Sequence, residues 1–236
     1  MPDEFRNSFL RSLPEPAFAA LKPHLHYGIL AWNRVICDDG RDVETVQFPD
    51  GALISLISTA RVGETVETMM VGCEGAKGLV EAAGSGVSSG VAVVQVEGPA
   101  WWAPIGVCRR LIHTDEGFSR AAGMMVELQL IESRQSGLCH AMHGVEPRLA
   151  RWLLELSERS GARDTLTLTQ EFMAAMLGVQ RTTVNGVASQ LQKTGLIRYS
   201  RGALQILDVE GLRRRACECR DVVREHRARL GLAVAG

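Results

Sequence analysis

Between Arg181 and Gln192 the chain presents Arg181, Thr182, Asn185, Ser189 and Gln192, with no carboxylate anywhere in the stretch. Side chains of these types donate and accept hydrogen bonds at base edges, where a carboxylate would meet phosphate repulsion. The same stretch sets Val184, Val187, Ala188 and Leu191 at i, i+3, i+4 and i+7, which predicts one buried helical face with the polar residues opposite. The expected helix runs from about 181 to 194 and stops at Gly195, with a surface suited to the major groove of DNA. Ahead of it, Thr169 is an N-cap for a two-turn helix over 170–177, and Gly178 lets the backbone turn sharply with Val179 tucked inward. Behind it, 196–199 and 204–207 read as two short strands joined through Ser200-Arg201-Gly202-Ala203, a hairpin with an arginine at its tip for a backbone phosphate. The candidate DNA contacts are therefore Thr169, Gln170, Gln180, Arg181, Thr182, Thr183, Asn185, Ser189 and Arg201. A Gly-centred turn between helices is a common accident; the hairpin in the correct place is what turns it into a DNA-binding expectation.

The remaining chemistry-bearing residues are less suggestive. Of Cys37, Cys73, Cys108, Cys139, Cys217 and Cys219, only the last two are close in sequence. Residues two apart on a helix face different ways, so that pair is poorly arranged to hold a metal alone. No thiolates cluster near the amino terminus as an iron–sulfur centre would want, and the six read as ordinary reduced thiols. Cys73 and Cys108 are possible oxidation sensors only through Arg109 and Arg110, the sole groups nearby that would lower a thiol pKa. His24-x-His26 lies ahead of the first expected strand without a following carboxylate, and it joins His113, His140 and His143 as chance surface histidines. The expectation is no metal, no cofactor and no catalytic residue.

These residues must be positioned by elements that the chain spells out locally. Length (236 residues) leaves room for one large or two ordinary domains, and 46% hydrophobic with 22% charged residues fits a globular chain with cores. No apolar run is long enough for a membrane span and the start is polar, so a cytoplasmic protein without membrane association is expected. From Glu146 to Gly236 there are 15 Lys/Arg against 10 Asp/Glu, whereas residues 1–145 hold 11 against 17. The basic part suits a polyanion. Asn7–Pro14 and Pro16–Leu21 predict two short helices. From Gly28 to about Val96, β-branched runs broken by Asp38-Asp39-Gly40, Pro49-Asp50-Gly51 and Gly84–Gly90 predict an antiparallel sandwich or roll. A long helix follows, in which Met124, Leu128, Ile131, Gln135, Leu138 and Met142 recur at intervals of 4, 3, 4, 3 and 4. That seam packs either on the chain's own roll or against a second copy. Gly144 and Pro147 end it, Arg148–Leu156 begins an amphipathic helix, and a last arginine-rich helix, around 212–230, closes the chain as a solvated element. Its other readings are added phosphate contact or a surface for RNA polymerase.

The whole order resembles the Crp/Fnr family of bacterial transcription regulators, most closely in Leu168-Thr169, Leu177-Gly178-Val179, Arg181-x-Thr183-Val184, Gly195-Leu196-Ile197 and Ile206-Leu207-Asp208. The resemblance implies an α+β chain with a cyclic-nucleotide-binding-like β-roll (1–117), a dimerisation helix (118–145) and a winged helix-turn-helix (146–236). It implies that the seam pairs two subunits, setting two recognition helices about one DNA turn apart on a roughly palindromic operator. It also implies that Arg181 reads guanine and phosphate, Thr169 grips phosphate, and Thr182 stands at a base-contacting position usually held by glutamate. Gly186 replaces a second base-reading arginine, leaving Asn185 as the candidate adenine reader. The family's phosphate-binding cassette maps onto Gly78–Val94, but no Lys, Arg or His occurs between Gly78 and Cys108, so cyclic-nucleotide control is not expected. Glu81 reads as a solvated helix residue or, as the alternative, a member of an effector pocket, and Trp101, Trp102 and Trp32 as packing residues or the lining of an apolar effector pocket. The resulting expectation is a dimeric, sequence-specific regulator that is not an enzyme. An interaction scaffold with a degenerate DNA-binding domain is the alternative, and a β-roll enzyme ranks below both.

Overall fold

The computed structural model describes residues 5–160, 165–200 and 202–232. Two short helices open it, α1 (Ser8–Ser12) and α2 (Glu15–Leu21). Asn7 caps α1 by accepting a hydrogen bond from the Leu10 amide at 3.0 Å, and its side-chain amide donates to the Pro49 and Gly75 carbonyls, each at 2.8 Å. The helix is thereby tied to the sheets behind it.

Seven strands build the roll: β1 (His26–Leu30), β2 (Val35–Cys37), β3 (Thr45–Pro49), β4 (Leu53–Thr59), β5 (Thr65–Val71), β6 (Val91–Val96) and β7 (Gly98–Pro104). They form two antiparallel sheets in the orders β1-β7-β3 and β2-β6-β4-β5. Leu30, Ala52, Ile54, Ala92, Val94 and Ala100 fill the space between the sheets. The first strand starts earlier than the sequence suggests: His26 is already in β1, opposite Trp102. Helix α3 (Leu79–Ala83) lies between β5 and β6, and Gly78 before it has φ +107°, where a Cβ would sit 2.9 Å from the Thr45 carbonyl oxygen.

Helix α4 (Ile105–Thr114) leads into the long α5 (Glu116–Met142), whose N-cap Asp115 accepts from the Phe118 amide at 2.7 Å. The first half of α5 buries Phe118, Ala121, Ala122, Met125 and Leu128 against α1, α2, α3 and α4. Helix α6 (Val145–Arg159) follows, then β8 (Thr165–Thr167), α7 (Gln170–Leu177), α8 (Arg181–Lys193), β9 (Ile197–Ser200) and β10 (Ala203–Ile206). Strand β8 is too short for any periodic signal, yet it pairs with β10 and makes a three-stranded sheet in the order β8-β10-β9.

The chain ends in two helices where the sequence predicts one. α9 (Val209–Arg215) and α10 (Cys219–Arg229) are separated by a turn at 216–218 in which Ala216 is extended. Nor are all its arginines solvated: Arg220 pairs with Glu158 at 2.6 Å and Arg227 with Glu132 of α5 at 2.8 Å, both arginines buried. Trp152, Leu149, Leu153 and Leu156 of α6 centre a core that takes in α7, α8 and the small sheet and reaches Leu53, Met70 and Val96 of the roll.

Candidate nucleic-acid interface

The interface begins with a cap. Thr169 is extended and its hydroxyl accepts from the Phe172 amide at 3.0 Å, starting α7. Gly178 ends α7 with φ +61°, its amide directed to the Ala174 and Ala175 carbonyls, and the Val179 amide also bonds to Ala174. Val184, Ala188 and Leu191 of α8 are buried against this corner, which fixes α8 by its inner face. Its outer face is free: Gln180, Arg181, Thr182, Thr183, Asn185 and Ser189 are all exposed.

The two helices are also joined across their outer edge. Gln170 Nε2 donates to Asn185 Oδ1 at 2.9 Å, which orients the Asn185 amide while leaving its NH2 and one oxygen lone pair for another partner. Gln192, grouped with the groove-facing residues on sequence grounds, instead accepts from the Tyr199 amide at 2.7 Å and ties α8 to the hairpin. The Tyr199 hydroxyl reaches the Leu168 carbonyl at 3.1 Å, bracing β9 against the start of α7. Arg201 lies outside the described residues. Gly186 is exposed, with open space where a Cβ would project.

The family profile described as a Crp-like helix-turn-helix domain matches residues 147–215. Among curated proteins, the transcriptional regulator SdrP of Thermus thermophilus is 37% identical over 78 residues, 31% of this chain and 39% of that protein. The matched stretch thus spans well under half the length of that relative. Among solved structures, FixK2 of Bradyrhizobium japonicum superposes with a TM-score of 0.67 at 15% identity, covering 82% of this chain and 98% of that one. The c-di-GMP responsive global regulator CLP of Xanthomonas campestris gives a TM-score of 0.65 at 15% identity, covering 83% and 100%. Residues 147–215 thus match a Crp-like helix-turn-helix domain, and the chain shares the fold of these two solved structures. Among the described residues no helix is long and apolar enough to cross a membrane.

The residues expected to line an effector pocket do not converge. Glu81 lines a cavity of about 310 Å³ between β4, β5, α3 and α5, together with Lys77, Ser88, Ser89 and Gln129. It is not solvated as the sequence suggests: Glu81 is buried and ion-paired with Lys77, a cation that immediately precedes the Gly78–Cys108 stretch without basic residues. Trp101 instead packs with Phe5 and Tyr27, ring centroids 4.8 Å away in each case. Trp102 stands near His26 on a different concavity beside β2 and β3.

Other groups also sit differently from their sequence reading. Burial pushes the Cys73 and Cys108 thiols up to about 12, and the Arg109 guanidinium is turned to the Ala82 and Glu81 carbonyls. His140 and His143 are half-buried rather than surface residues. His140 Nδ1 lies 2.6 Å from Arg148, which also donates to the Leu177 carbonyl at the end of α7. This Arg148 contact belongs to a polar joint between the halves that sequence reasoning missed. Trp152 of α6 donates to Glu67 of β5 at 2.8 Å, and Ser55 donates to the same carboxylate at 2.6 Å. Burial pushes Glu67 up to about 7 against these two bonds and the nearby Arg151. Arg159 meets Glu132 at 3.0 Å, Glu74 at 3.1 Å and the Met70 carbonyl at 2.6 Å.

The seam residues of α5 divide between two surroundings. Leu128 is buried and Met124 packs on the chain's own core, whereas Ile131 and Gln135 are half-buried. Leu138 is 47% and Met142 75% exposed, and Leu130, outside the expected seam, is 48% exposed.

Proposed function

We propose that this Crp/Fnr-type chain is a dimeric, sequence-specific DNA-binding transcription regulator. The observation that carries the reading is the outer face of α8, exposed, free of carboxylates and held at a fixed angle by Gly178 and the α7 cap. Arg181, Thr182 and Asn185 read base edges in the major groove. Thr169, Gln170, Gln180, Thr183 and Ser189 hold phosphate or neighbouring edges, with Arg201 on the wing. The Gln170–Asn185 bond supports Asn185 as an adenine reader, since its amide is oriented before DNA arrives. Two-fold pairing through α5 is supported by the exposed Leu130, Leu138 and Met142, which the chain itself leaves uncovered. The domains divide at the start of α6, and the dimer reads a roughly palindromic operator.

Cyclic nucleotide is not the effector in this reading. The cavity beside α5 has one lysine, Lys77, and its charge is already engaged by Glu81. A phosphodiester there would have to break a buried ion pair. A c-di-GMP responsive regulator shares the fold, so the fold does not name the effector. The test is selection of operator fragments from random duplexes, followed by salt-dependent binding of the wild-type and Arg181→Ala proteins to the selected sites. Sequence preference that depends on Arg181, with a two-fold repeat in the selected sites, supports the reading. Equal binding to all duplexes, or no change in Arg181→Ala, overturns it.

A further inference from the structure

Where α5 ends, the fold brings together four side chains that are up to 80 positions apart in sequence: Cys139, His143, Cys217 and Cys219. Their ligand atoms all lie within 4.8 Å of one another. Cys139 Sγ is 3.5 Å from Cys217 Sγ, and Cys219 Sγ is 3.4 Å from His143 Nδ1. A tetrahedral zinc with bonds of about 2.0–2.3 Å sets its ligands about 3.5–3.8 Å apart, so the Cys139–Cys217 and Cys219–His143 separations are close to shell distance and the rest of the set needs to draw in by about 1 Å or less.

Local structure explains how each ligand is delivered. Cys139 lies in the last turn of α5, and His143, four residues on, is the extended C-cap whose amide still bonds to the Cys139 carbonyl, which keeps the two residues together at the helix end. Cys217-x-Cys219 does not lie on one helix, as the sequence reading assumes: Cys217 is in the turn after α9 and Cys219 is the first residue of α10. The break in the helix swings both sulfurs to the same side. All three cysteines are buried. The far nitrogen of His143, Nε2, meets Glu218 Oε1 at 3.3 Å, the outer carboxylate that commonly fixes the orientation of a zinc-bound histidine. Three thiolates and one divalent ion leave a net negative charge, and the Arg151 guanidinium interacts favourably with Cys139 and Cys217.

We infer that Cys139, His143, Cys217 and Cys219 form a closed zinc site that staples the end of α5 to the α9–α10 turn of the DNA-binding half. Three sulfurs and one imidazole with no open position suit structural zinc, and the soft ligand set disfavours magnesium and calcium. The site is independent of the proposed regulatory function.

The experiment uses the full-length protein made in zinc-supplemented medium and purified without chelator or affinity metal. Elemental mass spectrometry is expected to find one zinc per chain in the wild type and in Cys37→Ser, and none in the Cys139→Ser/Cys217→Ser pair. Cobalt(II) added to chelator-stripped wild type reports the same site without a cysteine variant. It should give the strong visible bands of tetrahedral cobalt and thiolate charge-transfer absorption, saturating at one equivalent. Glu218→Gln, a change at an exposed residue, should weaken zinc binding about 10-fold or more. Absence of zinc together with an octahedral cobalt spectrum would overturn the inference. So would iron in place of zinc, or a Cys139–Cys217 disulfide in protein handled without oxygen. Unchanged zinc affinity in His143→Ala would overturn the four-ligand site.

Discussion

The outer face of α8 and the joint where α5, α6 and α10 meet are both polar, yet they are built in opposite ways. Every residue of the α8 face lies within one short stretch and is exposed, and the chain positions it by burying the opposite side of one helix. The joint draws Glu67, Glu132, Arg148, Arg159 and Arg227 from four elements and buries most of their polar atoms. A solvated face contributes little to folding and can be spent on recognition. A buried network of paired charges binds the halves of the molecule to each other, because breaking one pair strands its partner away from water. Substitutions should therefore separate cleanly, with those at the joint changing stability and those on α8 changing DNA affinity.

The largest effect is expected at Glu132. Glu132→Ala leaves Arg227 buried without its carboxylate and removes one of the two carboxylates on Arg159. Urea unfolding should show a loss of about 3–5 kcal/mol. A loss under about 1 kcal/mol, the range of exposed pairs, would mean that the joint behaves like a surface.

Glu67 makes the joint sensitive to pH. Burial raises its folded pKa to about 7 from the 4.5 of a free glutamate, so between these values the folded protein holds a proton that the unfolded chain has released. Its contribution is therefore complete below the unfolded value and is lost as pH rises through that window towards 7, up to about 3 kcal/mol. Arg151 and Glu155 are the charged groups that bear on it, with opposite signs. Unfolding free energies across this range should fall more steeply for the wild type than for Glu67→Gln, and parallel curves would show that Glu67 titrates normally.

On α8 the expected change is in binding alone. Arg181→Ala should weaken specific operator binding by about 1–3 kcal/mol. Its unfolding free energy should stay within about 0.5 kcal/mol, as for other exposed changes. A matching drop in stability would show that Arg181 supports the fold rather than the contact.

The smallest effect sharpens the same contrast. Gly186→Ala enters open space on the exposed face and should stabilise α8 by about 1 kcal/mol in thermal unfolding. If it also abolished operator binding, DNA would have to approach the backbone at that glycine, and Gly186 would be a contact rather than a missing one.

Much of the α8 face was legible before any coordinates. Thr169 as a cap, Gly178 as the turn, the buried spacing of Val184, Ala188 and Leu191 and the stop at Gly195 are signals carried by neighbours within one or two turns. The misses share a different property. Lys77 stands only four positions ahead of Glu81, but that both are buried as a pair is decided by the packing around them, and nothing near Arg227 points to Glu132, which precedes it by 95 positions. The break between α9 and α10 went unread because neither glycine nor proline marks it.

By itself, then, the sequence determined the winged helix-turn-helix, the strands of the roll, the long helix and the identity of the exposed polar groups on α8. Those follow from backbone preferences and from apolar periodicity, which act between residues a few positions apart. Only the tertiary structure decided which charges are buried in pairs and which part of the α5 seam stays uncovered. It also decided that Cys139 and His143 meet Cys217 and Cys219. Such meetings depend on the path of the chain through space, because a side chain's partner across the core leaves no periodic mark on the residues beside it.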